Sequence, residues 1–389
     1  MISLKDKITA ASGRIFFVLV LVILLAGLVK TVFFPEDINA YENRYANKTA
    51  PLTAASYADG SFQSSMEDAL ADQIHFSTTA KKLYNLFDFA CARPLIAASG
   101  KTHYVLYNGY KFLGENILYN CYQLAPLERQ LKEKADNINS AAAAHPELEF
   151  YLYYIEKDTD IDFLTGEKSG VYPYLRERIA LDDGHIRALE INGFDEFEER
   201  FYKTDHHWNY RGSYEAYTEI AAMLGAEPLL PTEERTFSAR LAGSKSLGSG
   251  RLLNEELTAY DFDFPEMDIA VNGVPVSDYG TLSECFRSGV SGLTTYGAIY
   301  GGDSGLVEFD THSGGENLLI LGESYDNAVV KLLASHFNKT YCVDLRYYSH
   351  DMGSDFDFAG FAAEHDIRKV LLAGNADYYT MKEFMLVNY

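Results

Sequence analysis

Asp205 and His207 stand two residues apart within residues 202–214, YKTDHHWNYRGSY. In an extended segment such a pair projects to one face, where the carboxylate can hold imidazole Nδ1 and leave Nε2 free for a hydroxyl. A serine able to meet it is Ser324, within residues 318–328, LLILGESYDNA, where a hydrophobic run ends in Gly322-Glu323-Ser324 and passes into a helical stretch. A hydroxyl at that junction stands at the carboxyl edge of a sheet, and the first amides of the following helix are free to bind an oxyanion. These three residue types imply acyl transfer through a serine, with Ser324 as nucleophile, His207 as base and Asp205 orienting it. The oxyanion would sit on the backbone N–H of Ser324 or Tyr325, with Asn327 and Asn375 as candidate side-chain donors. Trp208 could floor a sugar subsite or simply pack, and Arg211 is a further candidate substrate contact.

Each part also has a plainer reading. Ser324 could merely cap a helix, as serine does at many N-termini. Asp205, His206 and His207 could ligate a metal. On an extended segment, however, His206 projects away from His207, and no other His or Cys lies close in sequence, so neither a metal nor another cofactor is expected. His185 and His312 could still arrive by folding. Gly302-Asp303-Ser304 offers a second serine, but no hydrophobic strand precedes it and it sits in a glycine-rich stretch, which reads as a cleft loop.

The elements that must position these groups are visible as short apolar runs. Residues 150–155 (FYLYYI), 318–321 (LLIL), 341–345 (YCVDL) and 370–372 (VLL) have the signature of buried strands. Between the last three lie 328–336 and 356–365, both of helix length. This alternation predicts an α/β fold: right-handed crossovers and a mainly parallel sheet covered on both faces. Residues 64–89 place Met66, Leu70, Ile74, Ala80, Leu83 and Phe87 at helical spacing, predicting one or two amphipathic helices. Residues 102–119 alternate tyrosines and aliphatics around Asn108-Gly109, a hairpin signal. Residues 228–317 lack a strong period and read as an irregular insertion shaping the cleft.

At the N-terminus, residues 15–29 are uninterruptedly apolar, and 31–34 extend the run to about 20 residues, enough to cross a bilayer of ~30 Å. Lys5, Lys7 and Arg14 precede it, whereas Glu36 and Asp37 follow, which puts the N-terminus in the cytoplasm. The expected organisation is a cytoplasmic tail (1–14), a transmembrane anchor (15–34), a stalk with amphipathic helices (35–95) and an extracytoplasmic domain (96–389). A cleaved signal peptide is the competing reading. The apolar run exceeds a signal-peptide core, and no small-x-small cleavage site follows it.

A formal charge of −23 with no basic run disfavours nucleic acid and anionic polymers as partners, and leaves a neutral polymer open. With 29 tyrosines and 24 phenylalanines against one tryptophan, aromatic surface is available for both core and sugar contact. Cys91, Cys121, Cys285 and Cys342 lie far apart, which argues against a zinc knuckle or redox motif and for free buried thiols. In an oxidising compartment Cys91 and Cys121 are the nearest pair in sequence.

Together these residues resemble the DHHW protein family, a branch of the SGNH-hydrolase-like proteins related to the periplasmic alginate O-acetylation proteins. Asp205-His206-His207-Trp208 stands complete, and Glu42-Asn43-Arg44, Asp72-Gln73 and residues 212–217 also look like the family's pattern. The resemblance implies an SGNH-like three-layer α/β/α domain and a D-x-H plus G-D-S site, falling on Asp205, His207 and Ser324. Glu323 replaces the usual aspartate. It also implies a cell-surface polysaccharide as substrate and a multispanning membrane-bound acyltransferase as partner, handing acetyl groups across the membrane.

Overall fold

A computed structural model describes residues 4–34, 38–39, 44–73, 77–107, 109–249 and 251–387. The chain divides into two compact units, residues 1–91 with 247–252, and residues 92–246 with 253–389.

The first unit is helical. Helix α1 (Leu4–Phe33) is followed by α2 (Ser61–Gln73) and α3 (Ser77–Ser99), which cover the region expected to be amphipathic; Ile74 lies outside the described residues. The anchor expected over 15–34 is only partly matched. Helix α1 is 30 residues long, and its side chains from Ile15 to Leu25 are exposed and apolar. Among the described residues, however, no helix is long and apolar enough to cross a membrane. Of the polar stretch expected as a stalk, Ile38–Asn39 and Arg44–Tyr45 pair as short strands, while Glu42 and Asn43 lie outside the described residues.

In the second unit, the hairpin expected near residue 108 forms between Val105–Tyr107 and Tyr110–Leu113, and Asn116–Leu118 adds a third strand. Gly109 has φ +82°, the left-handed turn geometry that glycine permits; Asn108 lies outside the described residues. The main sheet is built from β1 (Glu149–Ile155), β2 (Ile186–Leu189), β5 (Asp268–Val271), β6 (Val274–Val276), β8 (Leu306–Asp310), β9 (Asn317–Leu321), β10 (Lys339–Val343) and β11 (Ile367–Gly374), in the order β6-β5-β8-β10-β9-β11-β1-β2. β10, β9, β11, β1 and β2 are mutually parallel, whereas β8, β5 and β6 join antiparallel at one edge. The sheet is therefore mixed. Its parallel half places Leu319 beside Tyr341 and Val370, and Leu372 beside Leu152.

Side chains alternate across this sheet, and each face is covered. On β1, Tyr151, Tyr153 and Ile155 enter one core with α6 (Tyr210–Met223) and α8 (Val330–Ala334). Phe150, Leu152 and Tyr154 enter the other with α4 (Leu124–Ala144), α5 (Val171–Arg178) and α9 (Phe358–Glu364). Strands so buried on both sides must read as continuous apolar runs, which is why the sequence revealed them.

Residues 228–317 are more ordered than their sequence pattern. They contribute β5, β6 and β8 to the main sheet and form a separate small sheet, β7-β3-β4, from β3 (Glu233–Leu241), β4 (Glu255–Asp261) and β7 (Ser291–Thr294). The register of β3 against β4 shifts between Thr236 and Arg240, which breaks the two-residue period. All four cysteines are free thiols; Cys285 and Cys342 are buried, Cys121 is half-buried and Cys91 is exposed.

Candidate active site

The carboxyl ends of the parallel strands converge on Ser324. β9 ends in Gly322-Glu323-Ser324, β10 in Asp344 and Arg346, β11 in Asn375 and Asp377, and β1 in Glu156, Lys157 and Asp158. After Ser324 the chain makes one 3-10 turn, Asp326–Ala328, before the five-residue α8. The expected helix over 328–336 is thus shorter, and its dipole correspondingly weak. What the turn does supply is amides: among the described residues, neither the Ser324 nor the Tyr325 N–H is hydrogen-bonded to another protein group. Gly322 is required beside them, because a Cβ there would lie 2.2 Å from Asp326 Oδ2.

Asp205 and His207 come from a bent loop, not an extended segment. Phe201 and Trp208 pair across its base and the Tyr202 N–H donates to the His207 carbonyl at 3.2 Å. His207 Nδ1 meets Asp205 Oδ1 at 2.5 Å, and Nε2 meets Ser324 Oγ at 2.8 Å. The structure thus brings the three residues into one hydrogen-bonded chain. Asp205 accepts two further bonds, from the His207 N–H at 3.1 Å and from the Ser244 N–H at 2.7 Å. Burial pushes its carboxyl up, but the His207 charge and hydrogen bond, His206 and the Ser244 amide together hold it well below the usual carboxylate range.

The bend changes the expected place of His206. Its ring lies 3.9 Å from that of His207 instead of projecting away, and its Nδ1 takes Ser244 Oγ at 2.7 Å. Burial, and then the neighbouring His207, hold it below its ordinary range, so it stays neutral. The donor atoms of Asp205, His206 and His207 lie within 4.8 Å of one another, a composition that could hold a metal. A metal there would have to break the bonds of His207 to Asp205 or Ser324, or that of His206 to Ser244.

The remaining expected residues divide. Tyr325 is buried beside the site, its hydroxyl donating to the His206 carbonyl. Neither asparagine is a free oxyanion donor. Asn327 Nδ2 donates to the Gly301 carbonyl at 3.2 Å and its Oδ1 accepts from Tyr279, while Asn375 Nδ2 donates to Glu323 Oε1 at 2.6 Å. Trp208 is 1% exposed and packs edge-on against Tyr325, so it is core and not a sugar platform. Arg211 lies on the surface of α6 with Tyr210, Glu199 and Glu234, none of them a site residue.

Several neighbours of the triad were not among the expected site residues. Glu323 is buried between Asn375 and Arg346, and burial pushes its carboxyl up to about 7 against the pull of Arg346 and Lys157. Asp303, of the second G-D-S, meets Arg346 at 3.3 Å, so that loop does reach the strand ends. Lys245 and Asp158 form a fully buried ion pair at 2.7 Å. The one sequence signal common to Lys157, Asp158, Asp344 and Arg346 is their place just after an apolar strand.

This architecture, a sheet covered on both faces with the serine at the carboxyl end of a central strand, defines a three-layer α/β protein with a mixed sheet. Residues 166–343, the stretch that holds Asp205, His207 and Ser324, match the model of the DHHW protein family. The match is narrower than the sequence resemblance, since Glu42-Asn43-Arg44 and Asp72-Gln73 lie outside it. No curated protein matches the chain. Among solved structures, Bacillus cereus PatB1 with a sulfonyl adduct aligns at 16% identity and a TM-score of 0.55, covering 72% of this chain and 98% of its own. A DHHW family protein from Eubacterium siraeum aligns at 15% identity and a TM-score of 0.51, covering 72% and 94%. The O-acetyltransferase domain of Pseudomonas putida AlgJ also aligns, at 13% identity over 72% and 93%, but its TM-score of 0.37 carries no argument.

Proposed function

We propose that this protein is a serine O-acyltransferase that moves an acetyl group onto hydroxyls of a cell-surface polysaccharide, with Ser324, His207 and Asp205 as its triad. The observation that carries the reading is the unbroken chain from Asp205 through His207 to Ser324 Oγ, with bonds of 2.5 and 2.8 Å. Ser324 Oγ attacks the acyl carbonyl as its proton passes to His207 Nε2, and the carbonyl electrons move onto oxygen, facing the Ser324 and Tyr325 amides. Collapse expels the donor's alcohol, which takes the proton back from His207. A sugar hydroxyl then repeats the attack on the acyl-serine, His207 accepting its proton and returning it to Ser324. If water takes the sugar's place the same residues make an acetylesterase, so exclusion of water decides the outcome.

From Ile15 to Leu25 the apolar side chains of α1 are exposed around the helix, which suits lipid and not water. We therefore place the N-terminus in the cytoplasm and the domain outside, where a multispanning acyltransferase would supply the acetyl donor.

A fluorophosphonate should label the full-length chain, and Ser324→Ala or His207→Ala should abolish the label. With 4-nitrophenyl acetate and a neutral polysaccharide present, acetyl should appear on polymer hydroxyls. Undiminished labelling of Ser324→Ala would overturn the triad; free acetate alone would make the enzyme an esterase.

A further inference from the structure

We propose that Tyr296 is a positioning residue for His207, holding the imidazole against tilt and steadying it when it carries the serine proton; this rests on the acyl-transfer reading above. Tyr296 opens α7 (Tyr296–Tyr300), inside the stretch whose sequence shows no strong period. Its ring lies 3.7 Å from the imidazole, centroid to centroid, with the two planes only 5° apart. It is 3% exposed, and its hydroxyl donates to the Tyr325 carbonyl at 3.4 Å. Thr295 caps the helix by accepting from the Ala298 N–H at 3.3 Å, which fixes where the ring enters.

The need for such a ring follows from the hydrogen bonds. Asp205 and Ser324 hold His207 at Nδ1 and Nε2, the two positions whose hydrogen bonds run in the plane of the ring. Neither bond opposes a displacement perpendicular to that plane, and a tilt of the ring about the Cβ–Cγ bond swings the Nε2 lone pair out of line with Ser324 Oγ. The other aromatic neighbours meet the imidazole obliquely, His206 at 36° and Tyr325 at 52°. Among the described residues, only the parallel Tyr296 ring blocks the tilt over a whole face. Its π electrons also attract the cation that His207 becomes during attack, an effect that strengthens where water is excluded.

The experiment is 4-nitrophenyl acetate hydrolysis by the full-length chain, with rates expressed per folded molecule. Tyr296→Leu should lower kcat about tenfold with KM within about twofold, while Tyr296→Phe, which keeps the ring, should stay within about threefold of wild type. Fluorophosphonate labelling should slow in parallel. Should Tyr296→Leu fail to melt cooperatively, Tyr296→Met makes the same comparison with a flexible chain of similar bulk. Wild-type kcat without the ring, or equal damage in Tyr296→Phe, overturns the role of Tyr296. Unchanged hydrolysis by Ser324→Ala would instead overturn the acyl-transfer reading, so the two failures are distinct.

Discussion

The position of one carboxylate is set by a glycine on a separate segment of the chain, Gly243. Asp205 keeps its orientation because the Ser244 N–H reaches Oδ2 at 2.7 Å, and that approach is open only because residue 243 has no side chain. A Cβ at Gly243 would stand 2.3 Å from both Cβ and Oδ2 of Asp205, and 2.7 Å from its Cα. No rotamer of Asp205 relieves a clash with its own Cβ, so Gly243→Ala must displace the loop. Because a misplacement of ~1 Å can cost about 10²-fold in rate, kcat for ester hydrolysis should fall by that order. Retention of wild-type kcat would show that Asp205 is held by other means. At this scale the sequence displayed residue types and short spacings, hence Asp205, His207 and Ser324. It did not display Gly243, Tyr296 or the true partners of Asn327 and Asn375, because each depends on a segment tens of residues away. The turned ring of His206 was hidden for another reason: the i, i+2 rule assumes an extended chain, and the 201–208 pairing bends it.

The strands were legible where burial on both faces made them continuously apolar. β1, β9, β10 and β11 fall close to the runs seen in the sequence, with β10 two residues earlier and β11 longer. β5, β6 and β8 were not legible: Val274, Pro275 and Val276 of the edge strand are all exposed, and β8, though buried at Leu306, Val307 and Phe309, is interrupted by Glu308 and ends at Asp310, so none carries a continuous buried apolar run. The ends of the strands carry charge in pairs, and the most deeply placed is Lys245 with Asp158, each 1% exposed. It ties the 243–246 segment, and hence the Ser244 amide that holds Asp205, to the end of β1. Removing one partner strands a buried charge, so Lys245→Met alone should cost about 3–5 kcal/mol in denaturant unfolding. Lys245→Met with Asp158→Leu should recover much of that loss. A double variant as unstable as the sum of the singles would mean that the two charges do not sense each other.

Charge also acts on the molecule as a whole. At −23 the chain repels itself at neutral pH, and it approaches neutrality as pH falls toward its pI near 4.8. Specific buried carboxyls work in the same direction. Burial pushes Glu323 up to about 7 from 4.5, and Asp160 up to about 6 from 3.8. Between those limits the folded chain keeps protons that the unfolded chain has already released, so stability falls as pH rises. The Glu323 contribution is complete below about 4.5 and gone above about 7. Asp205 and Asp377 act oppositely: hydrogen bonds and the His207 and Lys157 charges hold them down, so their contribution disappears only as pH falls through the acid range. The two windows predict a stability maximum on the mildly acid side, with Tm declining from about pH 5 to 7.5. Glu323→Gln cannot ionise and keeps an acceptor for Asn375, so it should flatten that decline while sparing the acid limb. An unchanged slope in Glu323→Gln would leave Asp160 and the self-repulsion of the chain as the cause. A flattened slope would tie the pH response of the whole fold to the residue directly before the nucleophile.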